Sequence, residues 1–197
     1  MTPPVKDSQR KVRLTLLLLA VAFLGPMAVA MVMYYTDFRW RPAHTIQHGV
    51  LYEPPRPLPD VTIGVVGGAG GNATLRGKWT LIYVAPGTCE APCHDALDEM
   101  RQVRRALGRN MDRVQRLYVV TAGSADTDFL TKEHPGIGVI AGGQVAQDLA
   151  GQLDQGGVGD IYLADPHGNL VMRYPAGTSM KGMYGDLNHL LTVSTIG

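Results

Sequence analysis

The sequence is almost without cysteine: Cys89 and Cys93 are the only two in 197 residues. Two thiols cannot supply the four-ligand spacing of a zinc finger. It also lacks a charge imbalance, with 18 Lys and Arg against 17 Asp and Glu, a formal +1. There is no basic patch or arginine-rich run along the chain, and this excludes the usual signature of a nucleic-acid binder. No internal repeat is present, so a solenoid or propeller is excluded. Glycine (24) and proline (13) are abundant but dispersed, the pattern of a loop-rich globular chain rather than a disordered one.

One segment has no charge at all. Residues 14–35, "LTLLLLAVAFLGPMAVAMVMYY", are long enough to cross a bilayer as a helix, which takes about 20 apolar residues. Lys6, Arg10, Lys11 and Arg13 precede it, whereas only Arg39 and Arg41 lie close behind it. The positive-inside rule then predicts a cytoplasmic tail over 1–13, an anchor over 14–35 and export of the remainder. A cleaved signal peptide is the rival reading, with Pro26 as breaker and Ala28-x-Ala30 as processing site. Both readings deliver the rest of the chain to the same compartment. In a bacterium this predicts an inner-membrane protein with a periplasmic domain, in an oxidising environment. Residues 36–57, with their prolines and no clear period, read as a juxtamembrane linker carrying His44 and His48.

From Leu58 to the C-terminus the pattern changes. "DVTIGVVG" alternates as a strand does, and "KWTLIYVA" is a continuous apolar run suited to a buried central strand. "CHDALDEMRQVRRALG" places Ala96, Leu97, Met100, Val103 and Leu107 at helical spacing. Strand 114–121, helix 126–134, strand 136–142 and helix 143–153 follow. A hairpin turning at Asp165-Pro166-His167-Gly168 and a closing amphipathic helix complete the chain. The order predicts an α/β domain over 58–197 with a mixed sheet, in which a terminal hairpin and helix give a thioredoxin-like fold.

The chemistry concentrates in "VAPGTCEAPCHDAL". The cysteines fall where a central strand hands over to a helix, the usual functional edge of an open α/β sheet. Helix dipole and free N–H groups there favour a thiolate. Cys89 would lie at or before the cap and Cys93 one turn in, close enough for a disulfide. A loop of three residues constrains an unfolded chain little, which argues against a purely structural staple. A redox dithiol and a pair of soft ligands for Cu(I) or zinc both remain open.

These segments resemble the Sco/SenC family of membrane-anchored cytochrome c oxidase assembly proteins. The resemblance rests on "LPDVTI…LRGKWTLIYVAPGTCEAPCHDAL", on "VQRLYVVTAGSADTDFLTKEHPGIGVIAGG" and on "IYLADPHGNLVMRYP". It implies that Cys89 and Cys93 act as copper ligands and as a thiol/disulfide couple. It also implies a partner, the oxidase subunit that carries the dicopper site, to which such proteins deliver copper or reducing equivalents. The family's third copper ligand, a histidine five residues before the "YL" pair, corresponds here to Gly157, and its "DP.RDT" stretch is reduced to "AGSADTD".

Substitute third ligands are few. His94 adjoins Cys93 but is turned about 100° from it on a helix. Met180 and Met183 could return to the cysteine end after the hairpin, or pack as core residues. His134 reads as structural and His167 as a turn residue. The expectation is a Sco-like factor acting by thiol-disulfide exchange through Cys89 and Cys93, with Cu(I) as a further cargo of the same pair. A metal-free periplasmic thiol-disulfide oxidoreductase and a non-catalytic assembly scaffold are the alternatives.

Overall fold

The computed structural model describes residues 5–35, 47–67, 72–153 and 156–197. Two compact units result, Met1–Thr45 and Ile46–Gly197. The first contains helix α1 (Val5–Tyr35), which runs unbroken past Ala30. Within it, Gln9–Tyr35 has a mean hydropathy of 2.5 and no buried part, which is long and apolar enough to cross a membrane. His44 and Trp40 lie outside the described residues.

The second unit is built on an eight-stranded mixed sheet in the order β1-β8-β7-β4-β5-β6-β2-β3. These strands are β1 (Val50–Pro57), β2 (Thr62–Val66), β3 (Asn72–Thr74), β4 (Trp79–Ala85), β5 (Val114–Val120), β6 (Ile137–Ala141), β7 (Ile161–Ala164) and β8 (Asn169–Tyr174). The helices are α2 (Ala91–Ala106), α3 (Thr127–Glu133), α4 (Gly143–Gln152) and α5 (Met180–Val193). The apolar run of β4 is explained by its place. It pairs in parallel with β5, Ile82 opposite Leu117, and antiparallel with β7, Ile82 opposite Tyr162. Both of its edges are therefore paired, while α2 and α5 cover one of its faces and α4 the other.

Alternate residues of each strand feed two cores. On one face Leu81, Tyr83, Tyr118 and Leu163 meet Leu97, Met100 and Val103 of α2 and Leu187 and Leu191 of α5. On the other, Ile82, Leu117, Val119 and Tyr162 meet Ala146 and Leu149 of α4, together with Leu58, Val61 and Leu75. The core elements β4-α2-β5-α4, then β7-β8-α5, give the thioredoxin-like arrangement expected, α4 on the face opposite α2 and α5, with α3 and β6 inserted after β5.

One sequence reading needs correction. Residues 50–57, assigned to a linker, form the edge strand β1 paired antiparallel with β8, Val50 opposite Arg173 and Pro57 opposite Asn169. The pairing shifts register between Leu51 and Arg56, so Pro54 and Pro55 fall in the irregular stretch where no ladder N–H is demanded of them. Tyr52 is buried, and the Arg56 guanidinium lies 4.9 Å over its ring. Just upstream, the backbone N–H groups of His48 and Gly49 donate to the buried Asp186 carboxylate of α5 at 2.8 and 3.1 Å. A Cβ on Gly49 would collide with the Met172 and Tyr174 side chains. These contacts place the start of the folded unit at least ten positions before Leu58. Short strand β3 and a 3-10 turn over Gly108–Arg113 were also unanticipated.

Candidate active site

The site is assembled at the carboxyl end of β4. Pro86 and Gly87 leave the strand, and the Gly87 N–H donates to Ala122 O at 2.7 Å. A Cβ on Gly87 would fall on the Ser124 backbone, so only glycine lets this segment lie against the loop that follows β5. Glu90 caps α2 with extended backbone, Pro92 occupies the first turn, and the Cys93 and His94 N–H groups both reach Glu90 O. Cys89 thus precedes the cap and Cys93 lies inside the first turn.

The two sulfurs are joined in a disulfide with Cα atoms 5.2 Å apart. Their surroundings differ. Cys93 is only 4% exposed and belongs to the α2 core, whereas Cys89 is half-buried at its margin. An attacking thiolate can therefore reach Cys89 far more readily than Cys93.

Beneath Cys93 is a residue the sequence reading missed. Tyr118 Oη lies 3.8 Å from Cys93 Sγ, and its hydroxyl donates to Pro86 O at 2.6 Å. The ring stacks on Tyr83 with centroids 5.9 Å apart. Burial, with a smaller contribution from Tyr83, pushes the Tyr118 hydroxyl up to about 12, so it keeps its proton at physiological pH. With that proton committed to Pro86, the oxygen can offer Cys93 only a lone pair. A reduced Cys93 is then favoured as the thiol, which can donate, over the thiolate, which cannot. Tyr118→Phe leaves the Pro86 carbonyl without its donor and should cost about 1–3 kcal/mol, measurable by urea unfolding of the oxidised protein.

The other candidate residues are dispersed. His94 turns from the sulfurs onto Phe129, its ring edge-on at 4.6 Å. Met183 is 1% exposed within the core, settled among α2 and α5 side chains. Met180 lies on the wall of an open groove of about 520 Å³ that it shares with Pro92, Asp95, Glu99 and Gly177. Burial, then Asp95, raises the Glu99 carboxyl above its usual range. Gly157 donates its N–H to Asp160 and offers no side chain. His167 is in the β7–β8 turn, its N–H on Asp165.

Among the described residues no three His, Cys, Asp or Glu side chains converge as a metal site. Reduction would free two sulfur donors, but His94 and Met183 are committed elsewhere, Gly157 has no donor, and Met180 faces the open groove with no histidine or carboxylate grouped with it and the cysteines. The described residues thus do not assemble a three-donor copper site of the kind the resemblance implied.

His134 caps the C-terminal end of α3 as a buried ring against Phe129, centroids 5.2 Å apart, with Nδ1 unpartnered. Burial holds its pKa below the usual histidine value, with Arg116 and Arg101 adding to the effect against Asp98 and Glu133. The unfolded chain therefore binds a proton at a higher pH than the folded one. The stability associated with a neutral His134 is complete above about pH 6.5 and is lost as pH falls through the lower folded value. His134→Gln should flatten this part of a pH–stability curve measured from pH 7.5 to 5. An unchanged slope would assign the loss to other groups.

Similarity to known proteins agrees with this architecture. The thioredoxin domain of a thiol-disulfide oxidoreductase from Bacteroides vulgatus superposes with a TM-score of 0.52 at 15% identity, covering 68% of this chain and 95% of that one. Copper-bound ScoI from Bradyrhizobium japonicum gives 0.53 at 20% identity, covering 68% and 98%. Copper-bound yeast Sco1 gives 0.56 at 19%, covering 72% and 96%. The likeness to Sco proteins read from the sequence therefore holds at the level of the fold. No curated protein matches the sequence. Residues 6–37 match the transmembrane-like N-terminal domain, over the charge-free helix. Residues 79–194, more than half the chain, run from β4 through both cysteines to the end of α5, and they match the model of the transmembrane-like, thioredoxin-like C-terminal domain, the family to which this chain belongs.

Proposed function

We propose that the protein is a membrane-anchored thiol-disulfide exchange factor of Sco-like fold. Its domain lies on the periplasmic side of the inner membrane, and its client is the oxidase subunit bearing the dicopper-site cysteines. The observation that carries this reading is the asymmetric disulfide: Cys89 half-buried ahead of α2, Cys93 buried over Tyr118. The orientation rests on the basic flank before α1, and the client on the sequence resemblance.

The exchange needs no group beyond the two sulfurs and a partner dithiol. A client thiolate attacks Cys89 Sγ, the Cys89–Cys93 bond breaks, and Cys93 leaves as a thiolate that takes up a proton beside Tyr118 Oη. The client's second thiolate then attacks its own sulfur in the mixed disulfide and releases Cys89 as thiolate. The client is oxidised by two electrons and the pair is reduced. In reverse, Cys89 thiolate attacks a client disulfide and Cys93 closes the internal bond. The N-terminus of α2 favours the Cys89 thiolate in either direction. No step passes through copper.

The test is incubation of the full chain with a peptide dithiol and a peptide disulfide, followed by non-reducing electrophoresis and mass spectrometry. A mixed disulfide confined to Cys89 supports the mechanism. If neither peptide reacts, and a Cys89→Ala/Cys93→Ala strain keeps normal oxidase copper content, the protein is a non-catalytic scaffold.

A further inference from the structure

A second concave feature lies toward the other end of α2. Arg104 is eleven residues along the helix from Cys93, roughly 16 Å at 1.5 Å per residue. There Arg101, Arg104, Arg105, Arg116 and Lys132 line a cavity of about 360 Å³ with one carboxylate, Glu133, and with Met111 and Pro135. Five cations around one cavity is a large concentration for a chain whose formal net charge is +1.

Backbone carbonyls, which do not neutralise charge, hold three of these guanidinium groups. Arg101 Nη1 donates to Glu133 O at 2.6 Å, Arg104 Nε to Val114 O at 2.6 Å and Arg116 Nη2 to Pro135 O at 2.8 Å, all backbone carbonyls. Three carboxylates offset part of the charge, but none of them pairs with Arg105 or Arg116. Asp98 pairs with Arg101 at 2.9 Å, the exposed Asp112 with Arg104 at 3.4 Å, and Glu133 with Lys132 at 4.0 Å. Arg105 has no partner among the described residues. Arg104 and Arg105 also complement the negative end of the α2 dipole, but Arg101, Arg116 and Lys132 exceed what that end requires.

Arg116 is the decisive residue. It projects from β5 and is only 4% exposed, yet its Nε and Nη1 have no hydrogen-bond partner, and no carboxylate pairs with it. Burial, Arg104 and Arg101 together depress it to about 10. A buried guanidinium left without a counter-charge is costly, and the two arginines beside it add like-charge repulsion. An anion in the cavity would offset both. Guanidinium forks match the paired oxygens of a phosphate group. The volume lies within the range of small-molecule sites, so the ligand can carry an organic part, for which Met111 and Pro135 provide apolar wall.

We propose that this cavity binds a small phosphomonoester, its phosphate held by Arg101, Arg104, Arg105 and Lys132 over the buried Arg116 and its organic part against Met111 and Pro135. The site is separate from the cysteines and does not depend on the exchange reaction.

The experiment is calorimetric titration of the full chain in neutral detergent with phenyl phosphate, inorganic phosphate and, at matched ionic strength, sodium chloride. Phosphatidylglycerol vesicles form a fourth arm. Saturable one-to-one binding of phenyl phosphate is expected, tighter than inorganic phosphate and absent with chloride. Arg105→Gln/Lys132→Gln, both at exposed positions, should weaken it at least tenfold while lowering the ligand-free melting temperature by no more than a few degrees, the effect of losing two helix C-terminal charges. Arg116→Leu, which removes the buried charge, should weaken it similarly. Binding no stronger than chloride overturns the proposal, as does binding unchanged in both variants. Variant-sensitive binding to vesicles alone overturns it in favour of a membrane-surface contact.

Discussion

Cys89→Ser is expected to reduce exchange with a peptide dithiol or disulfide to the uncatalysed background, whereas Cys93→Ser should stall the reaction halfway. The difference follows from burial. Cys89 is the sulfur a partner can reach, and a serine hydroxyl is neither a competent nucleophile nor able to form a disulfide. Cys93 lies over Tyr118, out of reach of a bulky client, and its task is intramolecular. Without it, Cys89 still attacks a client disulfide, but nothing resolves the product. A mixed disulfide should accumulate and be visible as a reducible band of increased mass. Both variants should fold, because the bond closes a short loop whose loss costs the unfolded chain little restriction. Equal residual activity in the two variants would contradict the assigned order of attack.

Asp160→Ala should produce the largest loss of stability of any single change considered. The Asp160 side chain is 4% exposed and serves three groups. Oδ2 accepts from Arg173 Nη1 at 2.7 Å and from the Gly157 N–H at 3.0 Å, while Oδ1 accepts from the Ala176 N–H at 2.8 Å. It thereby ties the loop before β7 to strand β8 and to the turn after it. Alanine leaves two backbone donors and a half-buried guanidinium without partners, an expected cost of about 2–4 kcal/mol. In a domain of this size each kcal/mol corresponds to a shift of roughly 2–4 °C in Tm. Asp160→Asn keeps acceptor capacity but loses the charge, and should lose less. Melting curves at pH 7 check both. If alanine and asparagine cost the same, the Arg173 ion pair, rather than the backbone ties, accounts for the effect.

The contrast between the charge count and the cationic cavity shows where a linear reading stops. Arg101, Arg104 and Arg105 are visible as a short basic stretch on a helix and read as its solvated face. Arg116 sits eleven residues farther on in an apolar strand, and Lys132 another sixteen. Only the parallel pairing of β4 with β5 and the packing of α2 across them place these side chains around one cavity. The same holds for β1. Its prolines and lack of period resemble a linker because the strand owes its place to ladder bonds with β8 and to the Asp186 carboxylate, not to any pattern of its own.

Local chemistry was legible wherever it was dictated by neighbours in the chain. The charge-free run specifies a helix able to span a membrane, because apolar length is a local property. The apolar run of β4, the helical period after Cys93 and the Asp-Pro-His-Gly turn specify their elements for the same reason. The spacing of Cys89 and Cys93 also places them within disulfide reach at a helix start. What only tertiary structure decided is which sulfur faces solvent and what surrounds the other. Tyr118 comes from the neighbouring strand and Gly87 is clamped by the loop after β5, contacts between residues 25 or more positions apart. The same packing drew Met183 into the core and His94 onto Phe129. Burial depends on what the rest of the chain brings to a residue, and no periodicity in the residue's own segment records it.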